Sequence, residues 1–197
     1  MNSIIVICGF SGSGKDSISE ELKKFGYNFI VSTSSRPMRD GESQMNPYKF
    51  VSGEEFLSLI KDDSLLEYRS YDTIQYGEKA TWYYGVEKSE VKNNKAYVVV
   101  LDIWGLQEFK RIFGDRVKSF FIQVSDSERE DRAKIRGGFE KAEWDRRLND
   151  DRKVFSDKIV AENTDYIVEN YNFEYCIEDI LYRIEHGDRV LVEEMEQ

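Results

Sequence analysis

Two prolines, two cysteines and one histidine are all that the 197 residues contain, and each scarcity excludes something. With so little proline, no Pro-rich linker divides the chain, and its length suggests one domain with inserted subdomains. Cys8 and Cys176 are too few for a disulfide framework and read as packed thiols in a reducing compartment. No Cys/His cluster has metal-ligand spacing, and the lone His186 reads as a surface residue. No apolar run approaches the ~20 residues that span a bilayer, and no basic segment followed by a long apolar stretch opens the chain. Positive charge is also short. Against 38 Asp and Glu stand 28 Lys and Arg, for a net charge of -10, so nucleic acid and anionic membrane would repel the protein on average. The expectation is a soluble cytoplasmic protein with neither as a partner. Its 40% hydrophobic content suffices for a sizeable core, and a small anionic ligand remains compatible if arginines cluster locally.

What is present begins with Gly9-Phe10-Ser11-Gly12-Ser13-Gly14-Lys15-Asp16-Ser17. It follows the apolar run Ile4 to Cys8 and precedes a helical pattern with Ile18, Leu22 and Phe25 on one face. Three glycines let successive N–H groups turn into one concavity at a helix N-terminus, where the helix dipole and Lys15 favour phosphate. This is the pattern of a P-loop, with Asp16 where Ser or Thr is usual.

Farther along, Gly26 reads as a helix C-cap and Tyr27 to Val31 as a second strand. A polar loop from Ser32 carries Arg36 and Arg39, three apart, and runs on to Tyr48. Ser52 and Glu55 form a capping box for a helix with Phe56, Leu59 and Ile60. Tyr71 to Tyr84, rich in aromatics, Thr and Gly, reads as a hairpin or a mobile loop, and Ser89 as the cap of a short helix. Ala96 to Leu101 is a near-continuous apolar run, as expected of a strand buried on both faces, and ends in Asp102. A helix to Gly114, a strand from Val117 to Val124, a highly charged helical stretch broken at Gly137-Gly138, a short strand from Asp165 to Val168 and a closing helix complete the chain. Alternating strands and helices predict a parallel sheet with helices on both faces.

The set Ser32, Arg36, Arg39, Gly41-Glu42 and Tyr48, added to the P-loop, resembles the nucleotide-binding signature of the guanylate kinases, the P-loop family that moves a phosphoryl group from ATP to GMP. The resemblance covers nearly the whole chain. Two guanidinium forks and a phenol suit a phosphate monoester dianion, which bidentate charge-assisted hydrogen bonds both hold and orient.

The resemblance implies an α/β fold: a parallel P-loop NTPase-type core (1–31, 88–125 and 161–197), an NMP-binding region (32–87) and a lid (126–160). It implies ATP and Mg²⁺ as cofactors and small-molecule nucleotides as partners. Gly9, Ser11, Gly12, Ser13, Gly14, Lys15, Asp16, Ser17 and Asn170 would form the ATP site. Ser32, Arg36, Arg39, Glu42, Tyr48, Glu67 and Tyr84 would form the acceptor site, where Glu67 reads guanine. Ser17 and Asp102 would serve the metal, and Lys15 with the lid arginines Arg132, Arg136 and Arg147 would be catalytic. Three positions depart from the family pattern: Asp16, Val86 in place of a hydroxyl residue after Tyr84-Gly85, and Trp104 in place of a second aspartate. GMP or dGMP is the first-choice acceptor. Ribose 1,5-bisphosphate, whose kinases share Gly-Lys-Asp-Ser and Tyr-Tyr-Gly-Val, stays open, as do another deoxynucleotide and an inactive guanylate-kinase-like binding module.

Overall fold

The sequence of buried strands is realised around β1 (Ile4–Gly9), every residue of which is buried. In the computed structural model, which describes residues 3–38, 41–75, 78–92, 95–136 and 139–187, β1 is the middle strand of a five-stranded sheet. The other strands are β2 (Asn28–Phe29), β7 (Tyr97–Val100), β8 (Val117–Gln123) and β9 (Tyr166–Glu169), in the order β2-β7-β1-β8-β9. All of its pairings are parallel.

Strand side chains alternate between the two faces, so a strand covered on both sides must be apolar at every position. Ile4, Val6 and Cys8 join a cluster with Ile103, Leu106 and Phe109 of α3 (Ile103–Phe113) and Val160 of α6 (Asp157–Asn163). Ile5 and Ile7 join the opposite cluster with Ile18 and Leu22 of α1 (Lys15–Lys23) and with Cys176, Ile177, Ile180 and Ile184 of α7 (Phe173–His186). Both cysteines are therefore buried and unpaired, and burial raises both thiol pKa values, that of Cys176 to about 12.

A second, four-stranded sheet is built from β3 (Thr33–Ser34), β4 (Lys49–Phe50), β5 (Leu65–Gln75) and β6 (Glu78–Glu87), in the order β4-β3-β6-β5. The aromatic stretch from Tyr71 to Tyr84 belongs to the long antiparallel pairing of β5 and β6. It is thus a hairpin. α2 (Gly53–Lys61) starts at a Ser52–Glu55 capping box and stacks Phe56 on Tyr83 at 5.4 Å. Leu66 and Val86 pack into the same cluster as Leu101 and Leu106, which fixes the second sheet against α3.

Local outcomes differ in small ways from expectation. The second strand is shorter than expected, two residues at the sheet edge paired with β7. The helix expected at Ser89 is a 3-10 turn, Lys88–Glu90. The charged stretch forms α4 (Asp126–Arg136) and α5 (Lys141–Val154). Among the described residues, no helix is long and apolar enough to cross a membrane.

Phe109 is fully buried between α3 and the sheet. Phe109→Ala is expected to lower unfolding free energy by about 3–5 kcal/mol, read from the urea midpoint at unchanged slope.

Candidate active site

At the C-terminal end of β1 the chain turns through residues 10–14 into α1. Gly14 has φ +94, and a Cβ there would lie 2.6 Å from Asn170 Nδ2, so no other residue fits. No side chain caps α1. Its first N–H groups and dipole are thus left to act on a ligand. Lys15 Nζ donates to the carbonyls of Gly9 at 2.8 Å and Phe10 at 2.9 Å. Burial lowers its pKa, against the opposing pull of Asp16 and Asp151.

The loop is held from behind by three side chains. Asn170 Nδ2 donates to Ser13 O at 2.8 Å, Arg132 Nη2 to Asn170 O at 2.6 Å, and Arg129 Nη1 to Ser11 O at 3.0 Å. Arg129 is fully buried, pairs with Asp126 and lies 4.5 Å from the Phe10 ring centroid. In the sequence it sits in a run of charges that reads as a solvated face, and burial alone distinguishes it.

Gly9, Ser11, Lys15 and Asp16 form one end of a cleft of about 350 Å³, and Ser32, Arg36, Glu42, Tyr48, Glu67 and Tyr84 line it farther on. Arg36, buried beyond β3, makes a two-pronged fork with Glu42 at 2.6 and 2.7 Å. Tyr48 and Phe50 each place a ring centroid 5.1 Å from its Cζ. Burial opposes the Arg36 charge, but the Glu42 fork outweighs it and raises the pKa. Tyr84 meets Tyr48 edge-on at 5.7 Å and Tyr71 at 5.5 Å.

Asp102, two residues beyond β7, caps α3: its Oδ1 accepts from Gly105 N–H at 2.8 Å and its Oδ2 from the Tyr71 hydroxyl at 2.9 Å. Glu67 is buried beside it. A Cβ at Gly105 would come 3.3 Å from Glu67 Oε2, so the absent side chain makes room for the carboxylate. Burial, reinforced by the Asp102 charge, pushes the Glu67 pKa up to about 8. Val86 is fully buried in the core, and Trp104, on the first turn of α3, is exposed. Neither lines the cleft.

The wall contributed by α5 carries Arg146, Arg147, Asp150 and Asp151. Both arginines donate to Glu143, at 2.7 Å from each Nε, which holds that carboxyl down at about 2. Asp151 Oδ2 accepts from Ser11 N–H at 2.6 Å. A carboxylate of the chain therefore sits on an N–H of the glycine-rich loop.

Of the residues expected from sequence, those named above on the cleft are gathered there, together with Asp102 and Arg147. Gly12, Ser13, Gly14, Ser17, Arg132 and Asn170 do not line it. Ser17 is exposed on α1. Arg39 and the side chain of Arg136 lie outside the described residues. Sequence reasoning missed Arg129, Asp151, Arg146, Arg69 and Tyr71. The last two carried a signal, since they follow Glu67 at even spacing on one strand.

A family model described as guanylate kinase matches residues 1–186. The chain belongs to the guanylate kinase family. It is 28% identical over 192 residues to the guanylate kinase of Fusobacterium nucleatum, covering 95% of this chain and 98% of that one. It is 30% identical over 189 residues to the enzyme of Francisella tularensis, covering 91% and 94%. A guanylate kinase from the chloroplast and mitochondrion of rice is 37% identical over 131 residues, a match spanning 64% of this chain and 43% of the rice protein. The crystal structure of guanylate kinase from Anaplasma phagocytophilum shares the fold, with a TM-score of 0.67 at 24% identity over 95% of this chain and 87% of that one.

Two measurements follow from this geometry. Between pH 4.5 and about 8 the unfolded state releases the Glu67 proton while the folded state keeps it, so ionisation progressively favours unfolding. The melting temperature of Glu67→Gln relative to the native chain should rise across that interval and level off above it. Asp151→Asn removes the charge that holds Ser11 N–H, and should tighten Mg-ATP binding by up to about tenfold in calorimetry without acceptor.

Proposed function

We propose that the chain transfers the terminal phosphoryl group of ATP to GMP or dGMP. The observation that carries this reading is one cleft lined at one end by Gly9 and Ser11 of the glycine-rich loop with Lys15 and farther on by Arg36, Tyr48 and Glu67. Such a cleft joins a triphosphate cradle to a site for a phosphate monoester with a hydrogen-bonding base. Lys15 and the loop N–H groups would hold the donor phosphates. Arg36, Arg39 and Tyr48 would hold the acceptor phosphate, with Ser32 and Glu42 around it. Glu67 would accept from the N–H groups of guanine, and Tyr84 would pack against the ring.

No covalent intermediate is needed. Positioning the two phosphates and neutralising the charge between them would supply the rate. Arg147, already on the cleft wall, and Arg132 and Arg136 would contribute that positive charge from a lid spanning 126–160, closing on an NMP-binding region of 32–87. Asn170 and Arg132 support the loop that would hold the donor.

Mg²⁺ commonly takes one or two carboxylates and completes its shell with phosphate and water. Asp102 and Asp16, both on the cleft, suit that role; Ser17, exposed on α1 and off the cleft, does not. Among the described residues no group of three His, Cys, Asp or Glu side chains that could hold a metal is found. Bound at those two carboxylates, Mg²⁺ would neutralise charge on the donor phosphates.

The deciding experiment incubates the protein with Mg-ATP and, separately, GMP, dGMP, other nucleoside monophosphates and ribose 1,5-bisphosphate. ADP release with GMP or dGMP is expected. Release with the sugar bisphosphate alone would overturn the guanylate assignment, and failure to bind ATP in calorimetry would turn the chain into a binding module. Lys15→Ala should lower kcat with every acceptor by about a hundredfold or more, whereas Arg39→Ala should mainly raise the acceptor KM.

A further inference from the structure

Glu67, Arg69, Tyr71 and Thr73 alternate along β5 and all line the cleft, as four residues on one face of a strand must. Ionised, the form that the Arg69 charge favours against burial, Glu67 can only accept hydrogen bonds. On a guanine ring it suits N1–H and the 2-amino group, and leaves the adjacent O6 and N7, both acceptors, without a donor. The side chain of Val86, where the family has a hydroxyl, is buried in the core and turned from the cleft. Another group must supply the donor.

Arg69 is the guanidinium on the same strand face as Glu67. It stands directly across from Tyr84 in the β5–β6 ladder. Its Nη1 donates to Tyr68 O at 2.6 Å, and its Cζ lies 5.9 Å from the Trp104 ring centroid. Among the described residues, the other cleft arginines are engaged elsewhere: Arg36 with Glu42 under Tyr48 and Phe50, and Arg146 and Arg147 with Glu143 on α5. Trp104, which occupies the position where the family has a second aspartate, is the ring against Arg69, and Val86 stands across from Glu67 in the β5–β6 ladder. An arginine fork matches the O6/N7 edge of guanine better than any other side chain.

We propose that Arg69, steadied by the Trp104 ring, reads the O6 and N7 edge of the acceptor base while Glu67 reads its N1 and 2-amino edge. The assignment rests on the guanylate reading of the cleft. Arg69 is then a specificity-determining residue, and the two departures from the family pattern form one replacement device.

The test compares kcat/KM for GMP, 7-deaza-GMP (no N7 acceptor), 6-thio-GMP (a weak acceptor in place of O6) and IMP (no 2-amino group). The native protein should disfavour each analogue, with the O6 and N7 penalties together about tenfold or more. In Arg69→Ala, and in Arg69→Met, which keeps the stem on Trp104, the 7-deaza and 6-thio penalties should collapse towards unity while the IMP penalty, belonging to Glu67, persists. The ATP KM should stay unchanged. Unaltered 7-deaza and 6-thio penalties in either variant would overturn the assignment, as would a native protein indifferent to both analogues. A change confined to IMP would also overturn it, assigning Arg69 to keeping Glu67 ionised. A native protein that phosphorylates no guanine nucleotide at all would instead overturn the guanylate reading itself.

Discussion

Among the described residues, each lysine or arginine lining the cleft is already held by an oxygen of the same chain: Lys15 by two loop carbonyls, Arg36 by Glu42, Arg69 by Tyr68 O, Arg146 and Arg147 by Glu143. In a chain of net charge -10 this local balance is the condition for keeping so many cations together, because a partly buried charge without a partner is strongly disfavoured. A phosphate entering the cleft therefore exchanges one oxygen partner for another. Its binding energy would come from geometry, two-pronged where a guanidinium meets it and dipolar at the loop, more than from raw attraction.

The scaffold beneath this balance was readable in the sequence because it depends on hydrophobic pattern. Ile4 to Cys8 and Ala96 to Leu101 have no polar alternation, and a strand covered on both faces must read that way. The Ser52–Glu55 box likewise needs no information beyond its own turn. Where the outcome departed it was in extent: Tyr27 to Val31 has the residues of a strand, but only Asn28 and Phe29 pair with β7.

The site was legible as a set of types and positions, and much less so as partnerships. Arg36 and Glu42 were both recognised, but not their mutual fork. Asp102 was recognised at a strand end, but its cap on Gly105 and its bond from Tyr71 join segments far apart in sequence. Arg129 was invisible for a different reason. A buried arginine in a helix of acids and bases has the same composition as an exposed one, and its burial beneath Phe10 with its bond to Ser11 O separates the two.

The two cysteines lie on opposite faces of the parallel sheet, each among aliphatic and aromatic side chains that raise its thiol pKa. Thiolate is the nucleophilic form, so the folded protein presents almost none of it to an alkylating reagent. Modification has to wait for the chain to open. With one thiol on each side of β1, the labelling rates of Cys8 and Cys176 are separate clocks for the two halves of the core, and their agreement or divergence measures whether α3 and α6 come away together with α1 and α7 or apart from them.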